Sequence, residues 1–388
     1  MKIRNNTIPS AGPWITDAEI NLVTEAIKEG WGKKMNMHID QFIEEFSDYT
    51  QLKYCLPTAH CTDAIHLALV VSDIGPGDEV IVPDVTWVAS AAPIEYVGAT
   101  PVFVDINTTN LCIDPDSFEQ AITKRTKAVI GVDLLGNMAD WKKINQIAKK
   151  HKLIVIEDAA QGLGATYRGQ PAGNFGDISV FSFSGTKLIT SQQGGIFATN
   201  DEELYEKAKM VSHHGINKKP GHEYFWSTTL GYNYNWSNIQ AALALAQLRR
   251  IDEFLEYKAW LYHTYKSELK GIKGLKFNEK IYKNTQQSFW ITYAILSPKY
   301  GLSKQKLVED FQKYNIGTRP MFYPISSMPP FAKYMHNQEG KTGHEINPNA
   351  YRISDYSICL PNGYKLSDED VRYICDAFKE ILKKNNYQ

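Results

Sequence analysis

Two ionisable side chains stand just past the ends of short apolar runs near the middle of the chain. The stretch 153–199 holds three such runs, 153–156, 178–183 and 195–199. Each reads as a short buried strand by its length, apolar density and flanking turn residues. Asp158 follows the first run, and Lys187 follows the second in a Ser-Gly-Thr-Lys turn. An acid and a lysine at the mouths of neighbouring strands suit pyridoxal phosphate chemistry. The lysine forms a Schiff base, and the carboxylate keeps the pyridine nitrogen protonated so that the ring draws electrons from the substrate carbanion. Among 42 Lys plus Arg, a lysine after a strand is ordinarily a solvated surface group. The neighbours of Lys187 argue otherwise. Ser182 and Ser184 alternate with Phe181 and Phe183, Gly185 permits a tight turn, and Thr186 precedes the lysine. Small hydroxyl residues beside a lysine suit a phosphate-bearing cofactor.

The elements that must position these groups alternate along the chain. A capping box, Thr16 with Glu19, opens a helix that Gly30 ends, and an amphipathic helix spans 38–49. In YCLPTAHCTDAIHLALVV a short apolar run meets a small-residue turn, and a helix starts near Thr62. Its N-terminus is a ready anion site, with simple capping by Thr62 as the plainer reading. Strand 79–83, helix 88–97 and strand 101–105 follow. Trp87 falls where strand gives way to helix, so its indole could cover a ligand face, although a core position is the commoner fate of tryptophan. A helix near 115–122, a strand at 128–132 and a helix near 141–151 complete the pattern. Such alternation predicts an α/β fold, a mostly parallel central sheet with helices on both faces, whose ligands gather at the carboxyl ends of the strands. Thr62, Trp87, Asp158 and Lys187 all fall at such ends.

A helix over 201–213, a polar loop at 215–228 and a long helix from Ser237 come next, with Arg249 and Arg250 expected toward a polar surface. Beyond residue 270 the texture changes: irregular 271–285, strand 289–296, helix 303–314, an extended piece at 317–323, and a closing helix 367–383 with the Ser367/Asp370 capping pair. This reads as a large domain, 1–250, joined to a smaller α+β domain, 251–388. The formal net charge of −1 argues against nucleic-acid or membrane-surface binding, and no apolar run reaches a membrane-spanning length. The segment MKIRNNTIPSAGPW lacks the apolar core of a signal peptide. Five scattered cysteines without metal-ligand spacing fit a reduced, cytoplasmic protein and no metal site.

Together the segments GDEVIVP, GATPVFVDI, EDAAQGLGATYRG, FGDISVFSFSGTK, QGGIFATND, LGYNYNWSNIQAALALAQL and GTRPMFYP resemble the DegT/DnrJ/StrS family of pyridoxal-phosphate sugar aminotransferases. The resemblance covers nearly the whole chain and implies the aspartate aminotransferase fold, fold type I. Within the family, SFWITYAI and GTRPMFYPISSMPPF look most like the members that aminate GDP-4-keto-6-deoxymannose, a step in surface polysaccharide synthesis. The resemblance makes Lys187 the cofactor-bearing lysine and proton shuttle, and Asp158 the partner of the pyridinium nitrogen. It puts Gln161 near the cofactor's phenolic oxygen and Trp87 on the ring. Cys61, Thr62 and Ser182 would bind the phosphate, and Asn233 the phosphate of the neighbouring subunit of a homodimer. Arg319, Tyr323 and the lysines near Asn217, Lys218 among them, would meet the substrate, with Arg319 and the lysines toward its nucleotide end. The implied donor is L-glutamate, with pyridoxamine phosphate as the intermediate form of the cofactor.

The chain departs from the family pattern at three places. His60-Cys61-Thr62 stands where Asn-Gly-Thr or Ser-Gly-Thr is usual, and a cysteine there requires a negative φ. Gln192-Gln193-Gly194-Gly195 replaces Gly-Glu-Gly-Gly, and a histidine usual near Ser326 is missing. These bear on the substrate, so another keto sugar or a small phosphorylated ketone stays open as the acceptor. A sugar dehydratase would carry histidine in place of Lys187, and a non-catalytic regulatory use of the fold would have no need of the lysine, acid and aromatic together.

Overall fold

The computed structural model describes residues 3–217, 225–335 and 340–385. Its strands are β1 (Tyr54–Thr58), β2 (Glu79–Pro83), β3 (Thr100–Val104), β4 (Thr126–Val132), β5 (Ile154–Asp158), a two-strand ribbon of β6 (Thr166–Tyr167) and β7 (Gln170–Pro171), β8 (Ile178–Ser182), β9 (Gly195–Thr199), β10 (Leu275–Phe277), β11 (Tyr293–Leu296), β12 (Arg319–Pro320) and β13 (Ser357–Cys359). Seven of them form one sheet in the order β1-β9-β8-β5-β4-β2-β3. From β3 to β8 the strands are parallel, while β9 runs antiparallel to both β8 and β1. Every residue of β2 and β9 is buried, so both faces of the sheet are covered. The mostly parallel sheet expected from the alternating pattern is therefore present.

Two of the expected helices are broken. Residues 88–97 form a 3₁₀ turn, Val88–Ser90, and then a short helix, Ala92–Tyr96. Pro93 explains the restart, because its ring is tolerated in a first turn and not in a helix interior. The long helix from Ser237 stops at Leu248 and resumes as Ile251–Glu268, with Arg250 at φ −113° and ψ 13° between them. Arg249 pairs with Glu45 at the surface, 2.6 Å away, as expected. Arg250 does not follow it: its side chain is 12% exposed and binds Glu19, 1% exposed, at 2.6 Å. The capping boxes of Thr16 with Glu19 and of Ser367 with Asp370 are both formed.

The second sheet, in the order β10-β11-β13-β12, is antiparallel throughout. Its own apolar cluster draws on the helices Ile251–Glu268, Lys304–Gln312 and Asp368–Lys384. The extended piece at 317–323 pairs only over Arg319 and Pro320, because proline cannot continue the ladder. None of the five cysteines is in a disulfide. Among the described residues no helix is long and apolar enough to cross a membrane.

Candidate active site

The register of the large sheet brings the predicted residues to its carboxyl edge. Asp158 ends β5 opposite Val132 of β4 and Val180 of β8. Ser182, two residues past Val180, pairs with Gly195 at the start of β9, and Gly195 pairs with Thr58 at the end of β1. The chain then turns through His60 into the helix Cys61–Val71. A Cβ on Gly195 would stand 2.5 Å from the Cys61 amide nitrogen, so glycine is what lets the helix start abut the strand. Thr62 is not the cap. His60 holds that position with extended backbone, φ −145° and ψ 159°, and its ring turns to Asp63 at 3.1 Å instead of capping the helix. The first amides stay open to an anion, which the macrodipole favours. Cys61 is the first helical residue and lacks a positive φ, so its Cβ costs no backbone strain.

Asp158 is buried beneath this edge. Ser90 Oγ donates to its Oδ2 at 2.7 Å, and the Ala160 amide donates to Oδ1 at 3.1 Å. Thr86 Oγ1 lies 3.1 Å from Ser90 Oγ, and since Ser90 spends its proton on Asp158, Thr86 donates to it. Burial pushes Asp158 above the ordinary carboxylate range, while Ser90 and the Lys187 charge pull it back. Burial likewise pushes the Lys187 amine down, with Cys61 and Asp158 opposing. Each group favours the charged form of the other, and desolvation limits both. The Lys187 amine also lies 4.4 Å from the centroid of the Trp290 ring, whose Nε1 donates to Thr186 O at 2.8 Å.

The remaining predicted residues are placed as follows. Gln161 is buried, and its Oε1 accepts from the Leu135 amide at 2.9 Å, which leaves Nε2 to donate outward. Trp87 is 57% exposed, not a core tryptophan, with its ring 6.0 Å from that of Phe322. Asn233 is exposed on the surface and accepts from Asn235 Nδ2 at 2.9 Å. Tyr323 lies over the buried Lys304 ammonium, 3.5 Å from the ring centroid, and its hydroxyl accepts from Gln305 at 3.1 Å. Arg319 lines the same cleft as Lys187, and Lys218 lies outside the described residues. Ser326, where a histidine is usual, is buried and gives its hydroxyl to Asp84 at 2.7 Å. Ser90, Trp290, Lys258 and Tyr364 join the site without having been singled out. For Ser90 the available signal was a hydroxyl three residues past Trp87. The others come from remote segments and carried none.

This arrangement fits pyridoxal phosphate: open helix amides beside Ser182 for the phosphate, a buried carboxylate held by two donors for the ring nitrogen, and an amine of lowered pKa facing it. The sequence profile described as the DegT/DnrJ/EryC1/StrS aminotransferase family matches residues 13–379. GDP-perosamine synthase of Caulobacter vibrioides is 38% identical over 375 residues, 97% of this chain and 98% of that protein. Spore coat polysaccharide biosynthesis protein SpsC of Bacillus subtilis is 34% identical over 98% of each chain. The solved structure of the putative sugar aminotransferase Spr1654 from Streptococcus pneumoniae, in its PLP form, superposes with a TM-score of 0.89 at 30% identity, over 98% of this chain and all of that one. The fold and site define a pyridoxal-phosphate-dependent aminotransferase of fold type I. The chain belongs to the DegT/DnrJ/EryC1/StrS aminotransferase family.

Ser90 supplies a direct check on Asp158. Ser90→Ala removes a donor to the charged form, so the carboxylate is lifted further and the acid limb of the kcat/KM profile moves to higher pH. At neutral pH a loss of about tenfold in kcat/KM is expected. A pH–rate profile with an unmoved acid limb would show that Ser90 does not act through Asp158.

Proposed function

We propose that this enzyme moves an amino group from L-glutamate to the keto group of a nucleotide-linked keto-deoxysugar of the GDP-4-keto-6-deoxymannose type, for surface polysaccharide or a related glycan. The observation that carries the reading is the pairing of Lys187 with buried Asp158 beside the open helix start at Cys61. The relatives named GDP-perosamine synthase support the acceptor. A second keto sugar stays in view on one observation: SpsC of Bacillus subtilis and the GDP-perosamine synthase of Vibrio cholerae are each 34% identical to this chain.

Bound pyridoxal phosphate supplies the electron sink for breaking a bond at the amine-bearing carbon. The protein does the rest. Lys187 Nζ would move the proton, as base and then as acid, at the amine-bearing carbon in each half-reaction. Its lowered pKa raises the fraction of neutral amine available near neutral pH. Asp158, whose charged form Ser90 and the Ala160 amide favour, would hold the proton of the ring nitrogen. The Cys61 and Thr62 amides and the Thr62 and Ser182 hydroxyls would hold the phosphate, Trp87 would cover the ring, and Gln161 would meet the phenolic oxygen. Tyr323, Lys218 and Arg319 would contact the sugar nucleotide, Arg319 and Lys218 toward its nucleotide end. Asn233 completes the neighbouring subunit's site in a homodimer. Residues 1–250 form the cofactor domain and 251–388 the small domain, a division that the helix break at Arg250 supports.

The test is a coupled half-reaction screen. Enzyme first loaded with amine from glutamate is mixed with GDP-, UDP- and dTDP-linked keto sugars, and return of the cofactor's visible absorption is followed. The GDP-linked 4-keto-6-deoxy sugar should discharge the enzyme fastest. Preference for a UDP or dTDP sugar would replace the acceptor, and discharge by none would remove the sugar reading.

A further inference from the structure

Lys304 opens the helix Lys304–Gln312, yet its side chain turns inward and is 0% exposed. Both circumstances disfavour an ammonium. Burial strips it of water, and the macrodipole opposes a cation at a helix start. Burial pushes the amine down to about 8, with the Asp355 charge opposing. Among the described residues it forms no ion pair, and its contacts go to one short segment instead. It donates to the Met321 carbonyl at 3.3 Å and to Ser354 Oγ at 2.6 Å, and it stands 3.5 Å from the centroid of the Tyr323 ring. Ser354 gives its own proton to the Phe322 carbonyl at 2.7 Å. Three consecutive residues, Met321, Phe322 and Tyr323, thus hang on one buried amine. Beyond Tyr323 the buried Asp84 fastens the same segment, accepting from the Ser326 amide at 2.8 Å and the Ser326 hydroxyl at 2.7 Å.

We propose that Lys304 is a positioning residue for the amino acceptor, fixing the Tyr323 ring so that its hydroxyl donates to the nucleotide-linked sugar. The inference rests on the proposed contact between Tyr323 and that substrate. The Tyr323 hydroxyl accepts from Gln305 Nε2 at 3.1 Å and gives its own proton to no group among the described residues. Tyr323 is also 45% exposed. A hydroxyl that is held, accessible and has its proton unspent is ready for a ligand oxygen, and sugar hydroxyls and phosphates supply such oxygens. Size chooses between the two substrates. An amino acid donor ends a few bonds from its reacting carbon, whereas a nucleotide-linked sugar extends well beyond it. The Phe322 ring, 6.0 Å from that of Trp87, ties the segment to the residue that would cover the cofactor. An ammonium is attracted to the face of an aromatic ring, most strongly where water is excluded, so Lys304 sets the plane in which the hydroxyl points. An apolar side chain in its place would fill the space without setting that plane.

The experiment uses cofactor-loaded enzyme and two readouts. Rapid mixing measures the glutamate half-reaction, and steady-state kinetics give kcat and KM for the nucleotide-linked keto sugar that discharges wild-type enzyme fastest. Lys304→Met should raise the acceptor KM roughly tenfold, the loss of a hydrogen bond to the ligand, with kcat and the glutamate half-reaction within about twofold of wild type. Tyr323→Phe keeps the ring on the ammonium and loses the hydroxyl, and should raise the acceptor KM by about the same factor. The double variant should be within about twofold of the worse single one, since both remove one contact. Lys304→Gln, which keeps a donor for the Met321 carbonyl, should fall between wild type and Lys304→Met. Equal losses in the two half-reactions would mean a general structural role and overturn the proposal, as would losses that multiply in the double variant. Where Lys304→Met does not fold, Lys304→Gln and Tyr323→Phe carry the same test, and an acceptor KM unmoved in either overturns it. Discharge of wild-type enzyme by no nucleotide-linked keto sugar would overturn the acceptor reading and this proposal with it, an outcome that the unmutated protein alone reports.

Discussion

Lys187→Ala should lower kcat by at least about 10⁴-fold in both half-reactions, since the side chain supplies both the covalent anchor and the proton transfer. The loss is expected to be chemical and not structural. Among the described residues the Lys187 side chain forms no ion pair, only the through-space attraction of Cys61 and Asp158, and its amine rests on a tryptophan face. Removing it withdraws a positive charge that pulls Asp158 down, so that carboxylate rises further. The variant should still fold and take up cofactor through the Cys61 helix start, with the absorption of unattached cofactor. Lys187→Arg keeps the charge and serves as the control: arginine does not deprotonate in this pH range, so it should be nearly as inactive as alanine. Single-turnover kinetics with glutamate provide the check. A Lys187→Ala enzyme that retained more than about one part in 10² of the wild-type rate would remove the lysine from the proton path.

How far the sequence reached is best seen strand by strand. The runs at 79–83 and 195–199 and the helix at 141–151 have the expected bounds, because each is a short apolar or strongly amphipathic stretch between turn residues. What such runs lack is direction. A strand buried on both faces looks alike whichever way it runs, so the reversal of β9 was hidden, and with it the pairing that sets Ser182, Gly195 and Thr58 in one row. Asp158 and Lys187 could be found because each follows a run that the pattern marks. Ser90, Lys258 and Tyr364 reach the site across 68, 104 and 176 residues through hydrogen bonds to Asp158, Asn362 and Leu188. Periodicity carries no trace of contacts at that separation. Pro93 did announce the break after Ser90, whereas at Arg250 neither glycine nor proline marked where the helix would stop.

Arg250→Met is expected to be among the most destabilising single changes, at about 3–5 kcal/mol, because it strands a buried carboxylate. Glu19 Oε1 receives Arg250 Nη1 at 2.6 Å and Gln247 Nε2 at 2.7 Å, while Oε2 closes the capping box of the first helix with Thr16. One guanidinium thus joins the helix break at residue 250 to a helix start 231 residues earlier. Burial pushes Glu19 up, but the Thr16 and Gln247 hydrogen bonds outweigh it and leave the group below its ordinary value of 4.5. A depressed carboxylate contributes stability that is present above the unfolded value and lost as pH falls through the lower folded one. Without Arg250 the folded value rises, so the variant should begin to lose stability at a higher pH than wild type. Glu19→Gln with Arg250→Met removes the stranded charge and should recover more than half of the loss, a coupling that a double-mutant cycle in urea measures. The packing also predicts a smaller effect on catalysis. Arg250 lies 5.2 Å over Trp14, whose ring is 5.7 Å from that of Tyr364, the residue bonded beside Lys187. A fall in kcat of a few fold, with stability as the dominant change, is expected from that chain of contacts. Full stability in the single variant would mean that Gln247 and Thr16 alone satisfy the buried Glu19 carboxylate.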